Sequence, residues 1–241
     1  MISVDRLSKR FGQHAAVEEV SFQAADGEVL GLLGPNGAGK TTTLRMLYTL
    51  SRPDRGDALI DGKSILRDPE GVRRVLGVLP DGKGLTPRLT AREHVRYFGA
   101  LHGLSGRTLE DRIDTLFERL RMHEIADRRA QGFSQGERMK VCVARALVHD
   151  PKNVLLDEPT NGLDVMSIRA MRELIRELRK EGRCVVLSSH VMQEVSAVCD
   201  RIVVMAKGRV VAEGSPELLR QQAGTQDLEE AFMAAVSPEE H

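Results

Sequence analysis

The chain has 241 residues, 41% hydrophobic and 29% charged, enough to bury a core without disulfides or metal, and this excludes long disorder. Lys plus Arg total 35 and Asp plus Glu total 35, so the net charge of zero argues against a nucleic-acid protein acting through a strong global field. Aromatics are 3% with no Trp, which argues against a stacking surface for single strands.

The N-terminus, MISVDRLSKRFG, carries charges where a signal peptide needs an apolar region. No apolar run approaches the roughly 18–20 residues that span a bilayer, so the expectation is work from the water side of any membrane. Short runs at 2–5, 17–22, 28–33 and 58–60 read as strands, with Asp26-Gly27 and Asp61-Gly62 as turn pairs. Another apolar run covers 75–79. From about 90 to 148 the pattern is helical, and Leu109, Ile113, Leu116, Phe117 and Leu120 mark one helix face. Between 107 and 129 the other positions carry six Arg and six Asp or Glu, which reads as a solvated face.

Strands and helices then alternate. The run 153–156 reads as a strand; Ile168, Met171, Leu174, Ile175 and Leu178 form a helical stripe that stops near Gly182. Strands follow at 184–187, 202–205 and 209–212. Unalternating apolar strands with helices between them predict a parallel sheet covered on both faces. The block near 85–150 interrupts the alternation as an inserted helical subdomain. The whole chain, 1–241, reads as one unit with a short C-terminal extension from about 214. Residues 227–241 carry five acids and no Lys or Arg, and read as a helix with a frayed end. Cys142, Cys184 and Cys199, odd in number and without CxxC spacing, read as buried thiols of a reducing compartment.

Gly34-Pro35-Asn36-Gly37-Ala38-Gly39-Lys40-Thr41 fits G-x-x-x-x-G-K-[ST], after an apolar strand and before an apolar helix. Its glycines let backbone N–H groups turn inward around a triphosphate. The helix N-terminus adds about half a positive charge. Lys40 reaches the outer phosphates and Thr41 is suited to ligate Mg²⁺. Asp157 and Glu158 end the apolar strand 153–156, so on a parallel strand they emerge beside this cradle. Asp157 is positioned to hold the metal and Glu158 to polarise an attacking water as general base. These two elements leave the type of P-loop enzyme open.

Phe133-Ser134-Gln135-Gly136-Glu137, about twenty residues before the acidic strand, resembles in position and partly in letters the LSGGQ signature of ABC transporter ATPases. The following helix, Asp157-Glu158-Pro159-Thr160, Asn161-Gly162-Leu163-Asp164 and Ser188-Ser189-His190 resemble the same family, in the family's order. The resemblance implies an α/β P-loop NTPase of ABC type, with a mainly parallel core sheet, an N-terminal antiparallel β subdomain and an inserted helical subdomain. It implies ATP and Mg²⁺ as cofactors. Phe11 would stack on adenine, worth about 1–3 kcal/mol. Thr42 would join the cradle residues around the nucleotide. Ser134 and Gly136 would meet the γ-phosphate of ATP held by a second copy, His190 would fix that phosphate and the water beside Glu158, and Asp164 would help join the two sites.

Two departures from the family pattern stand out. Pro80-Asp81-Gly82-Lys83-Gly84 replaces the usual loop, so that Asp81 takes the place of a Gln that meets Mg²⁺. Gln135 stands for Gly and Glu137 for Gln in the signature. The resemblance further implies a separate transmembrane permease, an ATP-dependent homodimer, no nucleic acid, and a peripheral location on the cytoplasmic side of the membrane. The stretches 85–93 and 96–103, with the 80–84 loop and 161–167, most resemble the ATPases of NatAB-type sodium exporters, which gives export, with sodium ion as the cargo the resemblance implies, as the expected work. Two alternatives stand beside it: an ABC-type ATPase acting on ribosomes or DNA, whose representatives usually carry two cassettes or long insertions, and a small-molecule kinase, which would lack a use for the 133–137 signature.

Overall fold

The computed structural model describes residues 1–81 and 84–236. Gly82 and Lys83 of the 80–84 loop, and the last five residues of the acidic C-terminal stretch, lie outside the described residues. β1 (Ile2–Phe11) and β2 (His14–Ala24) form an antiparallel hairpin, and β3 (Val29–Leu33) begins a second sheet. After α1 (Lys40–Leu47), β4 (Arg55–Ile60) and β5 (Lys63–Ser64) return to the first sheet, giving the order β2-β1-β4-β5. β1 runs six residues beyond the predicted 2–5. Its register shifts between Val4 and Leu7, where Arg6 has φ +45, so the period of two that marks a strand breaks there.

α2 (Pro69–Val75) leads into β6 (Leu76–Leu79). The helical block contains α3 (Ala91–Leu101), α4 (Gly106–Arg119), a 3₁₀ turn at His123–Ile125, and α5 (Gln135–Leu147). Then come β7 (Asn153–Asp157), α6 (Val165–Lys180), β8 (Cys184–Ser189), α7 (Met192–Val198), β9 (Arg201–Ala206), β10 (Arg209–Gly214), α8 (Pro216–Ala223) and α9 (Leu228–Val236).

Among the described residues the second sheet has six strands in the order β10-β9-β3-β8-β7-β6. All its neighbours are parallel except β10, which turns back on β9. Every residue of β3, β7 and β8 is buried, which explains why their apolar runs do not alternate with polar residues, while buried polar residues stand only at the strand ends. Successive side chains serve opposite faces. Leu30, Leu32, Leu155, Val186 and Val203 pack with α1 and the first sheet. Val29, Leu33, Val154, Leu156, Val185 and Val204 pack with the helices of the other side. Truncating any fully buried leucine here to Ala costs about 2–5 kcal/mol.

In the helical block the α4 stripe Leu109, Ile113, Leu116 and Phe117 is buried as its spacing predicts. Part of the charge on its other face is paired rather than merely solvated: the Arg96 guanidinium donates to both Glu110 oxygens at 2.7 and 2.8 Å, and Arg92 donates to Asp114 at 2.8 Å. All three cysteines are buried, and burial pushes the Cys184 thiol up to about 12. Among the described residues no helix is long and apolar enough to cross a membrane.

Candidate active site

Three neighbouring parallel strands, β3, β8 and β7, end at one edge, with Leu33 opposite Ser189 and Asp157 opposite Ser188. That register brings Gly34, Glu158 and His190, the residues following each strand, to one place. Gly34 has no room for a side chain, since a Cβ there would lie 2.2 Å from the Met205 carbonyl oxygen. The chain then wraps outward and enters α1 through Gly39, whose φ of +101 lies in the left-handed region. A Cβ at Gly39 would meet the Ala16 carbonyl oxygen at 2.5 Å. This tight loop places Lys40 at the first turn of α1.

Lys40 is only 5% exposed. Its Nζ donates to the carbonyls of Gly34 at 2.7 Å and Pro35 at 3.3 Å, and lies 3.5 Å from Glu158 Oε1. Thr41 Oγ1 donates to Asp157 Oδ1 at 3.0 Å. Ser188 Oγ donates to the same oxygen at 2.7 Å and accepts from the Glu158 backbone N–H at 3.0 Å. Asp157 is 2% exposed, and its other oxygen, Oδ2, has no hydrogen-bond partner. Burial raises the Asp157 carboxyl above the ordinary carboxylate range; the Ser188 and Thr41 bonds oppose this, while the nearby charges of Asp81 and Glu158 add to it. A buried carboxylate with one oxygen unpaired and two more acids nearby is a site that a cation would relieve.

Glu158 has φ +48, a conformation that costs a non-glycine residue about 1–3 kcal/mol and persists only when its surroundings hold it. Its Oε2 lies 2.9 Å from His190 Nδ1, which donates to it in the Nδ1–H tautomer. Glu158 is thus gripped from three sides: Lys40, His190 and the hydroxyl of Ser188.

These groups line a cleft of about 640 Å³. Its walls hold Phe11, Asn36, Gly37, Ala38, Gly39, Lys40, Thr41, Thr42, Asp81, Glu158 and His190, with Asp157 beneath Thr41. Phe11, at the end of β1, is 56% exposed. His14 and Ala16 also line the cleft without a signal in the sequence, and Asn161, known from sequence only as the start of the Asn161-Gly162-Leu163-Asp164 run, lines it too. His14 and Ala16 carry no local signal, because only the β1–β2 hairpin folds them over the cradle. Ser188 was visible only as part of a Ser-Ser-His run; its grip on Asp157 and Glu158 follows from strand register.

Ser134 and Gly136 do not line the cleft. Ser134 is exposed and caps α5: its Oγ accepts from the Glu137 N–H at 3.2 Å, and Glu137 Oε2 accepts from the Ser134 N–H at 2.8 Å. The second Glu137 oxygen accepts from Arg128 at 2.8 Å. The Ser134 N–H, together with Arg128, holds the Glu137 carboxyl below the usual range. The side chain of Gln135 lies over Gly162, and Gly136 packs against Ser167, which donates twice to Asp164 at the start of α6.

A cradle whose lysine meets a carboxylate at a sheet edge, with a capped signature helix outside the cleft lining, is the arrangement of an ATP-binding cassette. The ABC transporter family profile matches residues 17–161, and the chain belongs to this family as an ATP-binding subunit and ATP hydrolase. ABC transporter ATP-binding protein NatA of Bacillus subtilis (strain 168) is 42% identical over 239 residues, covering 97% of each chain. Nod factor export ATP-binding protein I of Ralstonia nicotianae (strain ATCC BAA-1114 / GMI1000) is 38% identical over 230 residues, covering 95% of this chain and 72% of the relative. A solved ATP-binding subunit of an ABC transporter superposes with a TM-score of 0.89 at 32% identity, covering 98% of this chain and 99% of that one. The dimeric post-hydrolysis cassette MJ0796, bound to ADP and Pi, gives a TM-score of 0.82 at 25% identity, covering 89% of this chain and 98% of that one. The P-loop fold with its mixed sheets and helices is thus the ABC cassette fold.

Proposed function

We propose that this chain drives export through a separate membrane permease, with sodium ion as the cargo, from the cytoplasmic face of the membrane. The observation that carries this reading is the match to NatA along 97% of both chains, in keeping with the resemblance of the 80–84, 85–93, 96–103 and 161–167 stretches to sodium exporters. Export as the direction gains support from the Nod factor export relatives.

In this reading ATP lies in the cleft with its phosphates against the backbone of Gly34 to Gly39 and Lys40, and its base on Phe11. Thr41, Asp157 and Asp81 would hold Mg²⁺; the unpaired Asp157 oxygen fits a cation there. Bound there, Mg²⁺ would supply charge neutralisation to the phosphates. Glu158 takes the proton of the attacking water, and His190 orients Glu158 and the γ-phosphate. Lys40 trades its contacts with the Gly34 and Pro35 carbonyls for phosphate oxygens of higher charge. Ser134 and the backbone of Gly136 from a second copy close the site, with the positive end of α5 aimed at the γ-phosphate. Hydrolysis removes the contacts shared by the two copies, the pair loosens, and this motion is passed to the permease.

The test is sodium flux in vesicles that hold this subunit's membrane permease, with this subunit added. ATP-dependent sodium movement that stops when Glu158→Gln replaces the wild-type subunit is the expected result. ATP hydrolysis stimulated by the permease with no sodium movement would reject sodium while leaving the ATPase reading intact.

A further inference from the structure

Two loops leave the sheet edge at this site. One runs from β7 through Glu158 and Pro159 to Thr160; the other runs from β8 through His190 into α7. Both are fastened to one carboxylate. Glu194, in the first turn of α7, accepts a hydrogen bond on Oε2 from Thr160 Oγ1 and another, at 3.3 Å, from Ser189 Oγ. Ser189 Oγ in turn accepts from the Val191 N–H at 3.0 Å, which fixes its proton toward Glu194. Thr160 and Ser189 are both buried, so these bonds form beneath the surface. Glu194 itself does not line the cleft.

The connections close a ring. Glu158 leads in two residues to Thr160, Thr160 bonds Glu194, Glu194 bonds Ser189, and the next residue, His190, returns to Glu158 at 2.9 Å. Ser188 secures the near side of Glu158 by accepting its N–H. On the far side the Asn161 N–H donates to the Glu158 carbonyl at 3.2 Å and closes the turn, and the Thr160 side chain fastens that turn to Glu194. A glutamate at φ +48 relaxes when its neighbours release it, and relaxation would swing the carboxylate away from His190.

We propose that Glu194 is a positioning residue for ATP hydrolysis: by tying Thr160 to Ser189 it sets the Glu158 carboxylate opposite His190. This rests on the roles proposed above for Glu158 and His190. Because both hydroxyls donate to one oxygen, a glutamine amide oxygen can accept both, whereas alanine accepts neither. Glutamine and alanine at position 194 therefore separate geometry from charge, and a dipole effect of Glu194 on α7 would behave the opposite way.

The experiment is steady-state hydrolysis by the full chain, with ATP affinity and melting temperature measured on each variant. Glu194→Ala is expected to lower kcat by about tenfold or more with KM for ATP within about threefold of wild type, as for a misplaced base in a site that still binds. Glu194→Gln is expected to restore most of that kcat. Thr160→Val, nearly isosteric, is expected to lower kcat in the same direction and to add nothing when combined with Glu194→Ala. A kcat for Glu194→Ala within about twofold of wild type, kcat and ATP affinity falling in parallel with the melting temperature, or a Glu194→Gln protein as slow as Glu194→Ala would overturn the proposal. If Glu194→Ala does not fold, Thr160→Val decides, and an unchanged kcat there rejects the role. Glu158→Gln in the same series separates the two layers: if it still turns over, the assignment of the base fails, whereas a dead Glu158→Gln beside a fully active Glu194→Ala sinks only the role of Glu194.

Discussion

The cradle edge and the signature turn are built by different means. At the cradle, Lys40, Asp157 and Ser188 are buried and bond one another or the ends of three parallel strands. At the signature, Ser134 is exposed and is held by the cap of its own helix. The first is a deep half-site fixed by sheet register; the second is a rigid helix start presented outward. The comparison also explains the unusual letters of the signature. Glu137 completes the capping box and adds a pair with Arg128, and Gln135 covers Gly162, so both departures have local structural work. The two residues proposed to meet phosphate, Ser134 and Gly136, keep the family letters. Ser134 and Gly136 lie outside the cleft lining, in keeping with the proposal that a second copy supplies them.

Breaking the cradle side gives the largest effects. Glu158→Gln is expected to lose turnover by about 10²-fold or more while still binding ATP, as for removal of a general base; single-turnover hydrolysis beside nucleotide binding checks it. Lys40→Ala is expected to weaken ATP binding by about 10–100-fold, the scale of one charge-assisted bond, measured by calorimetry. Asp157→Asn acts on stability as well. The Asp157 carboxyl is raised in the folded chain, so its neutral form is favoured there, and the free protein loses stability as pH rises from the unfolded titration range through the raised one. The amide removes that loss, and at neutral pH the nucleotide-free variant should melt higher than wild type while losing its response to Mg²⁺. Ser134→Ala tests the other region and has the smallest effect on the isolated chain: loss of the cap should lower the melting temperature by about 2 °C, with ATP affinity of the monomer unchanged.

What was legible in the sequence was contiguous. The cradle is eight adjacent residues between a strand and a helix, and β3, β7, β8 and β9 announce themselves as apolar runs because both faces of their sheet are covered. Three short helices carried less. In α7 only Val195 is buried, so no stripe of period 3.6 exists to be seen. α2 and α8 do carry start signals, Asp68-Pro69 and Ser215-Pro216 with capping side chains, but seven and eight residues are too few for a clear periodicity. Ser188 and Glu194 were illegible for a different reason. Each acts on residues about thirty positions away, and only the β7–β8 register brings those partners together.

The central claim is that one working site is made from the cradle of one copy and the signature of another. Mixing two disabled proteins tests it directly: Lys40→Ala, with a broken cradle and intact signature, and Ser134→Arg, with an intact cradle and a bulky charge at the signature. Each alone should be inactive, and their mixture contains dimers in which an intact cradle faces an intact signature. Hydrolysis by the mixture well above the sum of the two separate rates is the predicted result. A mixture no faster than that sum, with mixed dimers shown to form, would contradict the shared site.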